Sequence, residues 1–375
     1  MWIYSLFVIF SLLAIWYIRL FFRYTRGWES ISVTHKQEKY LPLSVIIPYR
    51  NEGGNLKRLF DSFDSQDYGN VTWIFVDDRS DDKGQELVQA WNPKVGTKIS
   101  IEVPDNVIGK KAAINLGINK AETDWVLCTD ADTFRGPNWL SVMAAAIDNE
   151  QVELVSGPVS IRPGNSWFSQ WQCLEFSGLI AIGGAAIALG SPNMCNGANI
   201  MYRKSSFTRV GGFVGNEMVP GGDDQFLLHR LHKNSANSIR FCKNQEAIVF
   251  TDAVTELGSF IAQRVRWASK NGSFENRWVS IEMTMIWLYY FSILFCLSGI
   301  LWNLQLALFG MVSFFLKTGI EYRFYRRTLA FFGESRLLKG FIFSEIVQLF
   351  YVVVIGLLGK FGNYKWKGRE FRSLT

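Results

Sequence analysis

The chain has 375 residues, enough for one large domain with membrane segments or for two small domains. Hydrophobic residues make up 49% of it and aromatic ones 15%, and 39 Lys and Arg against 33 Asp and Glu leave a net charge of +6. The basic residues flank apolar runs instead of forming one stripe, which fits anionic lipid headgroups and argues against nucleic acid as the partner. The five cysteines form no C-x-x-C pair and sit mostly within apolar runs, which argues against a disulfide framework or a zinc site and for a reducing compartment.

Trp2 to Ile18 carries no charge, and Arg19 can snorkel from the end of a span reaching about Phe22. A cleavable signal peptide is the competing reading, but no basic region precedes the run and no small-residue cleavage site comes after it. Residues 1–24 therefore read as an anchor. Arg19, Arg23 and Arg26 place the domain after the anchor in the cytoplasm by the positive-inside rule.

From about residue 40 to 280, strand-like and helix-like runs alternate. Leu43 to Ile47 is β-branched and ends at Pro48, Asn55 to Phe63 has helical spacing, and Val71 to Val76 and Trp125 to Cys128 are again strand-like. Alternation of this kind predicts an α/β fold with a mostly parallel sheet, in which ligands bind beyond the carboxyl ends of strands. Asp77-Asp78 and Asp130-Ala131-Asp132 stand at two such ends. No glycine-rich phosphate loop is present, so the alternative for a diphosphate is a divalent cation held by hard carboxylate oxygens. Leu179 to Leu189 is apolar but too short to cross a bilayer. It reads either as a buried core helix or as an interfacial surface where a lipid enters.

Met283 to Phe315 is an apolar stretch of about two spans with a turn near Trp302-Asn303, and Lys317, Arg323, Arg326 and Arg327 after it read as cytoplasmic. A last apolar helix runs from about Phe341 to Leu358, with Glu345 near its start and a basic tail after it. One more crossing puts that tail outside, against the charge rule, so the number of true crossings in 281–375 stays open between two and three helices. His229 and His232 have i, i+3 spacing and read as surface histidines.

An ordered set of motifs runs through roughly residues 43 to 270. It begins with Val45-Ile46-Ile47-Pro48-Tyr49-Arg50-Asn51-Glu52 and Val76-Asp77-Asp78-Arg79-Ser80-Asp81-Asp82. Gly109-Lys110-Lys111-Ala112-Ala113-Ile114-Asn115, Thr129-Asp130-Ala131-Asp132 and Asn196 to Arg203 come next. Asp223-Asp224 with Leu227, Arg230 and Leu231 has the form E/D-D-x-x-L-x-x-R-L, and Gln263 to Trp267 the form Q-x-x-R-W. In this order and spacing the motifs resemble those of membrane-bound family 2 glycosyltransferases of the Rossmann-like GT-A fold.

The resemblance implies metal-dependent inverting transfer from a nucleotide-sugar, with UDP-sugars first and GDP-mannose next. Pro48, Glu52 and Asp78 are then expected at the nucleoside, and Asp130 and Asp132 on Mg²⁺ or Mn²⁺ at the diphosphate. Lys110 is expected near the phosphates, with a solvated surface lysine as the competing reading. Asp224 is expected as general base, with a helix cap as the competing reading, which fits Asp223 equally. Gln263, Arg266 and Trp267 are expected to close over the donor.

About four apolar helices favour a membrane lipid acceptor at the cytoplasmic face, in a multi-pass cell-membrane protein. A small processive polysaccharide synthase is the alternative, and a non-catalytic scaffold of the same fold the third reading. The short tail Trp366-Lys367-Gly368-Arg369 resembles one in membrane glycosyltransferases acting on lipids or carotenoid acids. Nothing in the sequence fixes the oligomeric state.

Overall fold

The structure, a computed structural model, describes residues 2–36, 41–104, 109–216, 221–270, 276–366 and 369–372. Its residues group into two compact units. One consists of Gly27–Gly164 and Glu175–Ala253, the other of Met1–Arg26, Asn165–Leu174 and Val254–Thr375.

The first unit is built on ten strands: β1 (Leu43–Tyr49), β2 (Val71–Asp77), β3 (Thr97–Glu102), β4 (Trp125–Cys128), β5 (Thr133–Arg135), β6 (Leu154–Ser156), β7 (Val159–Arg162), β8 (Ile200–Arg203), β9 (Ile239–Phe241) and β10 (Val249–Asp252). Seven form one sheet in the order β3-β2-β1-β4-β8-β6-β9, and β5, β10 and β7 form a second. In the large sheet β1 pairs in parallel with both β2 and β4, and β2 with β3, while β8 runs antiparallel to β4 and β6. The mostly parallel α/β architecture expected from the alternation is therefore present.

Every residue of β1 is buried, as expected where helices cover both faces of a parallel sheet. Aromatic side chains dominate the core on one face. Phe63, from the helix Gly53–Asp64, stacks on Trp73 of β2 with ring centroids 4.0 Å apart, and Trp91 stacks on Phe60 at 4.6 Å. This packing holds the carboxyl ends of β1, β2 and β4 in fixed register: Pro48 lies opposite Val76, and Tyr49 opposite Asp77.

The second unit is helical. Counting both units, five described helices are long and apolar enough to cross a membrane: Tyr4–Ser30, Trp167–Ala188, Arg277–Leu301, Leu304–Phe331 and Ser335–Phe361, and of these Trp167–Ala188 belongs from Glu175 onward to the first unit. Trp167–Ala188 contains the segment that sequence alone puts below spanning length; its apolar window is 83% buried within the protein, as the core-helix reading requires. The turn expected at Trp302-Asn303 is present, and the Asn303 side chain accepts the Leu306 N–H at 3.1 Å to cap the next helix.

Lys317 departs from expectation. It does not mark the cytoplasmic end of a span but lies midway along Leu304–Phe331, fully buried. Its Nζ is 2.9 Å from Oε1 of Glu321 and also pairs with Glu345 of the helix Phe341–Phe361. Tyr17 and Tyr290 donate their hydroxyls to the same Glu321 oxygen, so three further helices share one polar knot. Near the C-terminus Asn363–Trp366 pairs antiparallel with Arg369–Arg372; Lys367 and Gly368 lie outside the described residues.

Candidate active site

The loop after β1 is latched to the loop after β2 by its own polar groups. Asn51, at φ 55°, donates its N–H to Ser80 Oγ at 3.0 Å and accepts the Asp81 N–H at 2.7 Å. Asp82 accepts the N–H groups of Gly53 at 2.8 Å and Gly84 at 2.9 Å, the first residues of two helices. Glu52 caps the first of these helices and accepts the Asn55 amide at 2.8 Å. Pro48 is buried in β1 immediately before this loop.

Asp77 and Asp78 do different jobs. Asp77 turns inward and accepts both the N–H and the hydroxyl of Ser80, at 3.0 and 2.6 Å. Burial pushes its carboxyl above the ordinary range, against the pull of those two bonds. Asp78 donates its own N–H to Tyr49 O at 2.9 Å, and its carboxylate accepts the Gly109 N–H at 3.3 Å, with Arg79 3.8 Å away. The sequence treats the pair as one feature, whereas the structure gives only Asp78 to the side of Gly109 and Lys110.

Lys110 opens the helix Lys110–Lys120 behind Gly109, whose φ of 102° turns the chain sharply into it. Its Nζ donates to Oδ1 of Asp130 at 2.6 Å and lies 3.8 Å from Oδ2 of Asp223. Burial works against the ammonium, but Asp130 and then Asp223 outweigh it and hold Lys110 above its ordinary value. The solvated-lysine reading is thus corrected: Lys110 bridges two acidic motifs. Asp130 is half-buried at the end of β4, and Asp132 is exposed on the turn into β5.

The helix Asp223–Asn234 starts at the second acidic pair. Its cap is Gly222, at φ 73°, with no side-chain cap bond, so the capping role considered for Asp223 is not what the structure shows. Asp223 is buried beside Lys110. Asp224 is half-buried, and its carboxylate accepts the Gly197 N–H at 2.9 Å and the Gln225 N–H at 2.8 Å. A Cβ on Gly197 would stand 3.2 Å from Oδ2 of Asp223, 3.6 Å from Oδ2 of Asp224 and 3.6 Å from Lys110 Nζ. Gly197, Lys110, Asp130, Asp223 and Asp224 therefore surround one small volume.

The remaining motif residues support this arrangement. Leu227 and Leu231 are core, and Arg230 clamps the preceding loop by donating to the carbonyls of Gly212 and Val214, each at 2.8 Å. Asn199 is fully buried, bonded to Trp139 and to the carbonyls of Pro158 and Ala247. His229 is not a surface residue: it is buried, with Nε2 3.2 Å from Asn193 O, on the same side of its helix as buried Phe226. Asn51, Asp82 and Gly197 escape a sequence-based reading as site residues, since their partners are distant in sequence.

Among the described residues no three His, Cys, Asp or Glu side chains gather to hold a metal. The fit to a cation rests on Asp130 and Asp132 alone. Two hard carboxylates on one turn match Mg²⁺ or Mn²⁺, which bind through one or two carboxylates and take substrate phosphates and water as their other ligands.

Gln263, Arg266 and Trp267 stand on the helix Leu257–Ala268, in the helical unit. Arg264, between them, is buried with its guanidinium 4.2 Å from the Trp267 ring and 4.9 Å from that of Phe260. Val265 packs there on Ile355.

Residues 44–211 match the family model Glycosyl transferase family 2. A poly-beta-1,6-N-acetyl-D-glucosamine synthase of Staphylococcus epidermidis is 25% identical over 243 residues, 64% of this chain and 57% of that protein. The enzyme of the same name from Staphylococcus aureus is 25% identical over 228 residues, 60% of this chain and 53% of its own. The chain thus spans little more than half the length of these curated relatives. Among solved structures, the mannosyltransferase PcManGT from Pyrobaculum calidifontis, in complex with GDP-Man and Mn²⁺, superposes with a TM-score of 0.55 at 16% identity. The match covers 92% of this chain and 98% of that one. With the mostly parallel sheet and the acidic groups at its strand ends, these matches show a family 2 glycosyltransferase domain over residues 44–211 on a GT-A fold.

Proposed function

We propose that this enzyme transfers a sugar, with inversion, from a nucleotide-sugar to a hydroxyl of a membrane lipid at the cytoplasmic face of the cell membrane. The observation that carries the reading is the convergence of Lys110, Asp130 and Asp223 beside Asp224. It supports a donor-diphosphate side and a proton-accepting side that lie close together.

In this reading Pro48, Glu52 and Asp78 line the nucleoside, and Asp78 is fixed by the Gly109 N–H. Asp130 and Asp132 hold Mg²⁺ or Mn²⁺, whose chemistry is to neutralise charge developing on the leaving diphosphate. Asp224 takes the proton of the acceptor hydroxyl as its oxygen attacks the anomeric carbon opposite the diphosphate. The carbon–oxygen bond to the diphosphate breaks in the same displacement, so the anomeric configuration inverts. The N–H groups of Gly197 and Gln225 orient the Asp224 carboxylate for this step. Gln263, Arg266 and Trp267 are the further residues that the resemblance assigns to the donor.

The apolar helices favour a lipid acceptor. The curated relatives favour a second reading, in which the acceptor is a growing N-acetylglucosamine polymer. Full-length enzyme in detergent, given a panel of UDP- and GDP-sugars with Mg²⁺ or Mn²⁺, identifies the donor by nucleotide release. Membranes carrying the enzyme are then incubated with that donor in labelled form. A discrete organic-soluble product supports lipid transfer, and a high-mass ladder overturns it in favour of the polymer. No nucleotide release from any donor overturns both.

A further inference from the structure

We infer that Lys110 makes divalent-cation binding conditional on the donor. The inference rests on the cation site proposed above, and it concerns what one lysine does to that site. The Lys110 ammonium sits 2.6 Å from Oδ1 of Asp130, the carboxylate a divalent cation needs. Two cations on one carboxylate repel each other strongly at such separations. An incoming cation must therefore share Asp130 with Lys110 or displace it.

Displacement requires somewhere for the ammonium to go. Asp223 offers one oxygen 3.8 Å away, but Asp223 is buried and already beside the same ammonium. Moving Lys110 wholly onto it gains little. A nucleotide diphosphate carries acceptor oxygens, and a lysine on a four-carbon stem reaches them as a mobile point charge. Cation alone then binds weakly because Lys110 opposes it, and diphosphate relieves that opposition by taking up the ammonium. The two ligands help each other, and linkage requires the help to be equal in both directions.

The test measures Mn²⁺ binding to the full-length protein in detergent by the loss of its free-ion EPR signal, with and without UDP. In the unmodified chain, UDP is expected to tighten Mn²⁺ binding at least tenfold, and Mn²⁺ to tighten UDP binding by the same factor. In Lys110→Met, Mn²⁺ alone is expected to bind about tenfold tighter, the scale of losing one half-buried like charge, and the UDP effect to shrink correspondingly. Lys110→Gln repeats the measurement should the Met variant melt early. Unchanged or weaker Mn²⁺ binding in either variant overturns the inference, as does the absence of any UDP effect in the unmodified chain. Asp130→Asn separates the two levels. If it leaves Mn²⁺ binding intact, the cation site itself is overturned, and the coupling falls with it.

Discussion

Gly197 donates its backbone N–H to Oδ2 of Asp224 at 2.9 Å, across 27 positions of sequence. The proton acceptor of the proposed reaction is therefore aimed by a backbone group, at a position where an added Cβ would press 3.2 Å from Oδ2 of Asp223. Asp224→Asn keeps an oxygen for one of the two N–H groups, Gly197 or Gln225, and loses the base, so kcat is expected to fall by ~10²–10⁴ with donor KM nearly unchanged. Gly197→Ala puts a methyl 3.2 Å from Asp223, and misplacement of the carboxylates is expected to lower kcat by about tenfold while the melting temperature holds. Steady-state nucleotide release with both variants checks this. An Asp224→Asn enzyme with normal kcat would show that another group takes the proton.

Asp82 predicts the opposite split. One exposed carboxylate accepts the first N–H of two helices, Gly53–Asp64 and Gly84–Ala90, at the helix ends where negative charge is favoured. It holds together the loops that carry Glu52 and Asp78. Asp82→Ala is expected to cost ~1–2 kcal/mol of stability and to raise donor KM severalfold with little change in kcat. Thermal melts and a KM–kcat comparison read both effects.

The buried thiols give the pH dependence a definite sign. Burial pushes Cys128 and Cys242 up to about 12 each. In the unfolded chain a thiol ionises near ~8.5, so the folded form binds more protons than the unfolded one between these values. Their contribution is complete below the unfolded value and is lost as pH rises toward 12, at up to ~1.4 kcal/mol per pH unit for each thiol. Alkaline unfolding is expected to set in above pH ~9, and the double variant Cys128→Ala, Cys242→Ala to soften it. Maleimide at pH 8 should leave both thiols unlabelled until denaturant is added. Rapid labelling of the native protein would contradict the burial.

The sequence discloses whatever depends on neighbours in the chain. The β-branched runs of β1, β2 and β4 announce buried strands, and carboxylates directly after two of them mark the ligand edge of a parallel sheet. The polar partners of Lys110 and Gly197 stay hidden because they arrive from other strands and helices. Lys110 meets Asp130 from the next strand end and Asp223 from a helix far along the chain. His229 reads as a surface residue because no local signal tells which face of its helix is covered; burial of Leu228 and Leu231 beside it decides that. Lys317 misleads for a related reason. A charge after an apolar run ordinarily marks a membrane boundary, and the sequence does not reveal that Glu321 and Glu345 are waiting within the helical unit.

That buried group supports the last prediction. Lys317, Glu321 and Glu345 are each almost wholly shielded, and Tyr17 and Tyr290 close the remaining side of Glu321. Removing the ammonium alone strands two carboxylates without their counter-charge, which for a buried pair costs ~3–5 kcal/mol. Lys317→Met is therefore expected to lower the melting temperature of the detergent-purified protein sharply or to abolish its accumulation. Adding Glu345→Gln removes one of the stranded charges, so the double variant should recover part of that loss, although it has no more ion pairs than Lys317→Met alone. The ordering of the two variants is what tests the argument. If the double variant is less stable than Lys317→Met alone, Glu345 contributes through contacts other than its charge. If Lys317→Met melts normally, the ammonium is not what holds the helices Leu304–Phe331 and Phe341–Phe361 together, and their apolar packing suffices.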